Sequence, residues 1–200
     1  MRLIRIKAYI IDFIVLALII FLIGAVIPKS DRLKSLRAEQ NTNLEEILAG
    51  RISFSEYIDN NSEVYYQAAL EEGIPYLLYL LCMLWYLVII PYMWKGRTLG
   101  CYLCHVQVER FDKGKLQMWQ LMVRYSFVFG LGYVMLNNLA MLVLNSSNYF
   151  PVISIIAIFQ FVLAIFCALT VLIWSEKRGL HELLSNTELT KIIEPKKKRK

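Results

Sequence analysis

The chain alternates long apolar segments with polar ones, and this pattern predicts its architecture. Four segments of at least twenty residues contain between them a single Asp, Glu, Lys, Arg or His side chain. A helix of about twenty apolar residues is long enough to cross a hydrocarbon layer ~30 Å thick. The pattern therefore predicts an all-α membrane protein with four transmembrane helices, over residues 8–27, 74–94, 125–144 and 149–174.

The positions of the Lys and Arg residues predict how these helices are oriented. Of the 22 Lys and Arg residues, 17 lie in residues 1–7, 95–124 and 175–200, whereas residues 28–73 carry five of them beside nine acidic residues. Basic residues accumulate in the cytoplasmic segments of membrane proteins. We therefore expect both termini and the inner loop 95–124 to be cytoplasmic, and the outer loop 28–73 to be extracellular.

The outer loop carries signals for helices. Ser30-Asp31, Asn43 and Asn61-Ser62 each precede apolar residues at helical spacing, as helix N-caps do, and Gly50 interrupts the middle. The loop is therefore predicted to form a small helical cap. It is either a solvated connector or a surface that contacts a partner.

Composition and charge exclude some classes of protein. The chain is 58% hydrophobic and 19% charged, with a mean hydropathy of +0.49, whereas soluble domains have roughly 45–50% apolar and about 25% charged residues. A soluble enzyme is excluded. The net charge of +6 does not indicate a nucleic-acid partner, because the cations flank the apolar segments. The basic tail 195–200 is expected to meet anionic lipid headgroups of the bilayer.

A cysteine pair in the inner loop matches two cofactor motifs. Cys101-Tyr-Leu-Cys104-His105 has the spacing of a c-type haem attachment site, and with His181 it would give a Cys₂His₂ zinc set. Haem is attached outside the cytoplasm, however, and this loop is predicted to lie in the reducing interior. We therefore interpret the pattern as a chance occurrence and expect no cofactor and no metal.

Four polar residues of the predicted spans are candidates for a role inside the membrane. Asp12 is the ionisable one, and intramembrane carboxylates are costly enough to suggest a function. It either forms a structural pair or handles a proton or cation. Asn137, Asn138 and Gln160 either join neighbouring helices by hydrogen bonds or line a substrate path.

The depth of the basic residues suggests a partner for Asp12. Arg124 enters the third span from the inner side at about the depth of Asp12, whereas Arg5 lies seven residues before Asp12 and is expected to extend towards the headgroups. We predict that Asp12 pairs chiefly with Arg124. The same geometry predicts a water-accessible vestibule lined by Asp12, Arg124 and His181.

Several motifs resemble those of the RDD family of bacterial membrane proteins. They are Arg5-Ile-Lys-Ala8-Tyr-Ile-Ile-Asp12, Gly96-Arg-Thr98-Leu-Gly100, Val106-Gln-Val108, Asp112-Lys-Gly114, Arg124, and the closing block from Arg178-Gly-Leu180-His181-Glu182 to Thr187. Leu99 and Cys101 stand where the family usually has Pro and Lys. Glu182 and Ser185-Asn186 stand where it usually has Asp and Ala-Gly. The resemblance covers nearly the whole chain and implies an RDD-like membrane domain over residues 1–194.

The resemblance implies transport of an ion or small solute across the cell membrane of a bacterium, including cation/proton exchange, and does not imply an enzyme. Its transport candidates are Arg5, Asp12, Arg124, His181 and Glu182. The alternative is a non-catalytic accessory subunit of an export or immunity complex that uses the outer loop. Because four helices form a thin pore wall, we expect a homo-oligomer or a larger membrane complex.

The orientation can be tested by introducing cysteines at Ser35 and at Lys113 in a variant without the native cysteines. An impermeant thiol reagent applied to intact cells should label position 35, in the outer loop, and leave position 113 unlabelled until the cells are opened. Labelling of position 113 alone in intact cells would contradict the predicted orientation.

Overall fold

The computed structural model describes residues 2–173 and 178–192. Within them, ten α-helices and two short strands follow one another along the chain. The helices are α1 Arg2–Val26, α2 Asp31–Leu48, α3 Phe54–Glu71, α4 Gly73–Leu84, α5 Ile90–Met93, α6 Leu99–Leu103, α7 Met118–Phe129, α8 Leu131–Val143, α9 Ser146–Ile173 and α10 Leu180–Leu184; the strands are β1 Val106–Arg110 and β2 Thr187–Lys191. Residue 174, the predicted end of the fourth span, and the tail 195–200 lie outside the described residues.

Three helical segments are long and apolar enough to cross a membrane. They are Leu3–Val26, Gly73–Met93 and Ser146–Ile173. A fourth span is formed if α7 and α8 are counted together, although these two helices meet at 92°. The all-α membrane architecture predicted from hydropathy is confirmed. The third span differs from the straight helix expected over residues 125–144.

The break between α7 and α8 lies at Gly130. This residue has φ +73°, in the left-handed region that favours glycine. A break inside the bilayer leaves backbone groups without helical partners, and these must be satisfied by the protein itself. Gln160 Nε2 donates to the carbonyl of Phe127 at 3.3 Å, so a side chain of α9 supplies a hydrogen bond to the last turn of α7.

The second span contains one irregular turn. Residues Trp85–Ile89 form a π-helical turn between α4 and α5, immediately before Pro91, which has no backbone N–H to donate. Such turns occur often at functional positions. Here the turn carries the buried side chain of Tyr86, which donates a hydrogen bond to α1.

Residues 28–72, which we call the acidic end, form a two-helix cap. Ser30 caps α2 as predicted, by accepting a hydrogen bond from Leu33 N at 3.0 Å, and Gly50, with φ +68°, lies in the turn between the helices. The prediction that a helix begins at Asn43 is wrong, because α2 runs through that position without a break. The helix predicted after Asn61-Ser62 begins earlier, at Phe54, where Ser53 and Glu56 form a capping box.

Residues 95–117 and 178–192, which we call the basic end, come together at the opposite end of the spans. Strands β1 and β2 pair antiparallel, with Val106 opposite Lys191 and Arg110 opposite Thr187. The alternate residues Val106, Val108 and Leu189 are buried in the main core, beside apolar residues of α1, the second span and α7. The small sheet therefore joins the inner loop to the end of the chain and closes the bundle here.

Candidate functional site

A carboxylate at the basic end is held by groups from three distant parts of the chain. Glu182, in α10, accepts from Arg5 Nη1 of α1 at 3.0 Å and from Arg124 Nη2 of α7 at 3.1 Å. The backbone N–H of Gly179 donates to the same carboxylate at 2.9 Å. Charged hydrogen bonds of this kind are the strongest that side chains form. We call Arg5, Arg124 and Glu182 the charge cluster.

Arg124 connects the charge cluster to two hydroxyl groups. Its Nη1 donates to Thr187 Oγ1 of β2 at 2.8 Å, and its Nη2 donates to the Tyr9 hydroxyl of α1 at 2.7 Å. Thr187 Oγ1 also lies 2.7 Å from Ser185 Oγ. Arg124 is therefore fixed at both terminal guanidinium nitrogens, and its position orients Tyr9.

The charge cluster is shielded from water and carries an excess of positive charge. Arg124 and Glu182 are completely buried, and Arg5 is 6% exposed. Two guanidinium groups face one carboxylate, so the cluster has a net charge of +1 when all three are ionised. In a medium of low dielectric constant this charge acts over a longer range than it would in water.

His181 lies beside the charge cluster and is neutral. Its Nε2 is 2.9 Å from the Tyr9 hydroxyl, and its ring is 1% exposed. Burial, together with the positive charges of Arg124 and Arg5, holds the pKa of His181 well below its usual range. The imidazole is therefore a hydrogen-bonding group at neutral pH and adds no charge to the cluster.

Asp12 forms a second, separate site with neutral donors. Its carboxylate accepts from the Tyr86 hydroxyl at 2.5 Å, from Thr98 Oγ1 at 2.6 Å and from the backbone N–H of Gly100 at 2.8 Å. Asp12 is 1% exposed, and its donors come from the second span and the inner loop. The arrangement attaches α6 to α1, and we call it the Asp12 latch.

Gly96, Thr98 and Gly100 of the inner loop each have a structural role that explains the residue type. A Cβ atom on Gly100 would lie 2.2 Å from the carbonyl oxygen of Ala8, so the close contact between α6 and α1 requires glycine. Gly96 has φ +77°, and a Cβ there would lie 1.9 Å from the carbonyl oxygen of Val108. Thr98 caps α6 by accepting from Cys101 N at 3.2 Å while it donates to Asp12.

The structure corrects the predicted partner of Asp12. Among the described residues, no Lys or Arg forms an ion pair with Asp12, and Arg124 pairs with Glu182 instead. The expectation that Arg5 extends to the headgroups is also wrong, because Arg5 is drawn inward to Glu182. The predicted vestibule lined by Asp12, Arg124 and His181 is not formed, since Asp12 and Arg124 are buried.

The polar residues of the third and fourth spans make hydrogen bonds close to the acidic end or the break. Asn137 accepts from the Tyr149 hydroxyl at 2.9 Å. Asn138 donates to the carbonyl of Val134 at 2.9 Å, one turn earlier in its own helix. With Gln160 at the break, two of the three predicted residues therefore link α9 to α7 or α8.

The cysteine pair has the properties of packing residues. Cys101 is buried and Cys104 is partly buried. Loss of contact with water raises the pKa of both thiols. Both thiols are therefore protonated at neutral pH. His181 contacts the Tyr9 hydroxyl beside the charge cluster. Among the described residues, no group of three or more His, Cys, Asp or Glu side chains could hold a metal ion.

An apolar groove runs beside the charge cluster. It consists of three cavities of about 450, 870 and 240 Å³, which we call the basic-end, central and acidic-end cavities. Adjacent cavities share parts of their walls. The basic-end and central cavities share Phe13, Val128, Phe129 and Ala164, and the central and acidic-end cavities share Tyr133 and Ala157.

The polar groups of the groove are concentrated at the acidic end. Tyr9 and His181 line the basic-end cavity, and Gln160 and Tyr133 line the central cavity. The acidic-end cavity is lined by Arg37, Gln40, Asn137, Ser154 and four tyrosines. Exposed aromatic side chains, which include Phe13 and Phe161, lie along the central part. The groove is therefore mainly apolar at the basic end and in its centre, and more polar at the acidic end.

Sequence reasoning missed several residues that complete these sites. Tyr9 lies four residues after Arg5 and therefore on the same helical face, which is a usable signal. Tyr86 gave no signal, because a tyrosine in an apolar span is common. Thr187 ended the closing motif without any predicted contact. Of these three residues, Tyr86 contacts the carboxylate of Asp12, whereas Tyr9 and Thr187 contact Arg124.

Comparison with known proteins found a matching family model. The family model described as "RDD family" matches residues 3–186. No curated protein and no solved structure matches the chain.

The close contact at Gly100 gives a test of the Asp12 latch. We expect Gly100→Ala to lower the stability in detergent by roughly 1–3 kcal/mol, because the added methyl group collides with the backbone of α1. For a chain of this size this corresponds to a fall of about 2–10 °C in the melting temperature. The control is Gly24→Ala, where a Cβ meets only the Tyr79 hydroxyl at 3.7 Å. Equal melting temperatures for the two variants would contradict the latch.

Proposed function

The chain belongs to the RDD family, and from this premise we propose that it moves a small amphiphilic solute across the cell membrane. The solute would pass along the groove between α1 and α9, from one end of the bundle to the other. The protein would act as a carrier and would form or break no covalent bond.

The continuity of the three cavities is the observation that carries this proposal. Because each cavity shares wall residues with the next, the groove extends from Tyr9 and His181 at the basic end to Arg37 and Asn137 at the acidic end. The broken third span lies at its midpoint, since Gly130 lines the central cavity. Broken helices beside a cavity are a recurring feature of substrate sites in transporters.

The nature of the walls favours an amphiphilic solute over a bare ion. A metal ion in the bilayer must be surrounded by oxygen atoms or water, whereas the central cavity has mainly aliphatic and aromatic walls. Asp12, the carboxylate expected to exchange a proton for a cation, lines none of the three cavities among the described residues. Three of its roughly four acceptor sites are occupied by donors of the latch.

We also propose an orientation and an assembly for the helix bundle. The distribution of Lys and Arg supports a cytoplasmic basic end and an extracellular acidic end. Because the groove is open to lipid on one side, we propose that a second copy of the chain or a larger partner completes its wall. Both statements are independent of the nature of the solute.

A specific observation favours a second candidate function, that of an accessory subunit. Leu48 and Phe54, at the turn of the extracellular cap, are 78% and 68% exposed. Exposed apolar groups at the tip of a polar hairpin are suited to contact with another protein. Purification in mild detergent would then yield a partner in stoichiometric amount.

Transport can be measured in proteoliposomes with a set of short-chain amphiphiles that carry a dithionite-quenchable fluorophore. We expect the protein to accelerate their movement between leaflets, and Ala157→Trp to return the rate to that of protein-free liposomes. The reason is steric, since Ala157 lines both the central and the acidic-end cavities.

The matched control is Ile158→Trp. Ile158 is the next residue of α9 and is 65% exposed, so a tryptophan there should leave the rate unchanged. An equal loss in both variants would contradict transport along the groove. So would a sodium flux that is abolished by Asp12→Asn and unaffected by Ala157→Trp.

A further inference from the structure

The direction of two hydrogen bonds fixes the tautomer of His181. Arg124 can only donate, so the Tyr9 hydroxyl accepts from Arg124 Nη2 at 2.7 Å and uses its own proton elsewhere. Its remaining neighbour is His181 Nε2, at 2.9 Å. Nε2 is therefore the acceptor, and the ring proton of the neutral imidazole lies on Nδ1.

The Nδ1–H group formed in this way has no acceptor within the described residues. His181 is 1% exposed, and Nδ1 is buried without a hydrogen-bond partner. Buried donors are nearly always paired, and each exception requires an explanation. His181 lines the basic-end cavity, but Nδ1 itself has almost no accessible surface, so an acceptor atom in that cavity would pair with the donor after a small shift of the ring or of the cavity wall.

The glycine before α10 keeps the region near Nδ1 free of side-chain atoms. A Cβ on Gly179 would lie 3.3 Å from His181 Nδ1 and 2.8 Å from Val171 Cγ2. Val171 is itself part of the cavity wall. Any larger residue at position 179 would therefore crowd the imidazole and the adjacent wall.

The charge near this cavity favours an anion. Arg5 and Arg124 outnumber Glu182, and Tyr9 connects Arg124 directly to the cavity wall. Since the cluster is shielded from water, its excess charge is weakly screened. An acceptor that is also negatively charged would thus be attracted to the position next to His181.

The remaining walls of the cavity favour an apolar chain. Its volume of about 450 Å³ is within the ~300–1,000 Å³ of typical small-molecule sites. Ile6, Ile10 and Ala168 line it, and the four residues that it shares with the central cavity are all apolar. A ligand with one anionic oxygen group and a long hydrocarbon chain matches both parts.

We propose that the basic-end cavity binds an anionic membrane phospholipid, whose phosphate accepts a hydrogen bond from His181 Nδ1 and whose acyl chain lies along the groove. This inference names the class of amphiphile and rests on the proposed function, because it uses the same groove. Binding and flux are separate measurements, so each can fail without the other.

The test is lipid binding to the purified full-length protein, measured by native mass spectrometry from mixed micelles containing equal amounts of phosphatidylglycerol and phosphatidylcholine. We expect phosphatidylglycerol to be retained about tenfold more than phosphatidylcholine, because both lipids carry the phosphate but the choline cation of phosphatidylcholine is repelled by the excess positive charge of the cluster. Equal retention of the two lipids would overturn the proposal.

Two substitutions at His181 separate its two nitrogen atoms. The amide of Asn places a donor near the position of Nδ1, whereas that of Gln reaches the position of Nε2. We expect His181→Asn to keep the retention of phosphatidylglycerol, and His181→Gln to lower it. The opposite order would overturn the assignment of Nδ1.

A second pair of variants leaves the hydrogen-bond network intact, so the test does not depend on whether the His181 variants fold. Ala168→Phe should fill the cavity and lower phosphatidylglycerol retention about tenfold. The control Leu169→Phe changes a neighbouring exposed residue of α9 and should have no effect. Unchanged retention in Ala168→Phe would contradict the site, as would a change of oligomeric state without a change in lipid retention.

The hydrocarbon chain is tested with glycerol 3-phosphate, which carries the headgroup charge alone. Millimolar amounts should leave phosphatidylglycerol bound, and complete displacement would identify a soluble phosphate as the occupant instead. Lipid binding without flux in the proteoliposomes would support this site and contradict the proposed transport. Flux without any lipid preference would support the proposed transport and contradict this lipid site.

Discussion

The buried carboxylate of Glu182 is the constraint on which the basic end depends. Removing one carboxylate and two guanidinium groups from water costs several kcal/mol per ion unless the charges compensate one another. Here Glu182 is in contact with both Arg5 and Arg124. Because these residues come from the first helix, the third span and the closing segment, their pairing fixes all three parts relative to one another. Removing one partner of a buried ion pair is strongly destabilising, because it leaves a buried charge without compensation.

The two buried carboxylates, Glu182 and Asp12, both contribute to holding α1 in place. Arg5 and Asp12 lie seven residues apart on one face of that helix, yet each finds its partner in a different segment. Arg5 is bound by the closing segment through Glu182, and Asp12 is bound by the second span and α6 through neutral donors. The first helix is therefore attached at two levels. The face that carries Phe13 is left to line the groove.

Hydropathy predicted the spans because the bilayer imposes length and apolarity on each of them, and capping predicted the start of α2 at Ser30. The 92° break at Gly130 could not be predicted in this way, since a single glycine in an apolar segment is common in membrane helices. The Asp12–Arg124 pair was wrong for a different reason. Depth along one axis does not show which neutral donors surround a carboxylate, and the Tyr86, Thr98 and Gly100 groups satisfy Asp12 without a cation.

The account rests on Glu182 as the shared partner of two buried cations, and a double-mutant cycle tests this most directly. The free energy of unfolding in mixed micelles would be measured for the unmodified protein, Arg5→Met, Glu182→Gln and the double variant. The account predicts that Arg5→Met is strongly destabilising alone and much less so beside Glu182→Gln, with a coupling energy of about 1–3 kcal/mol. An equal cost of Arg5→Met in both backgrounds would show that the two residues are not coupled and would contradict the account.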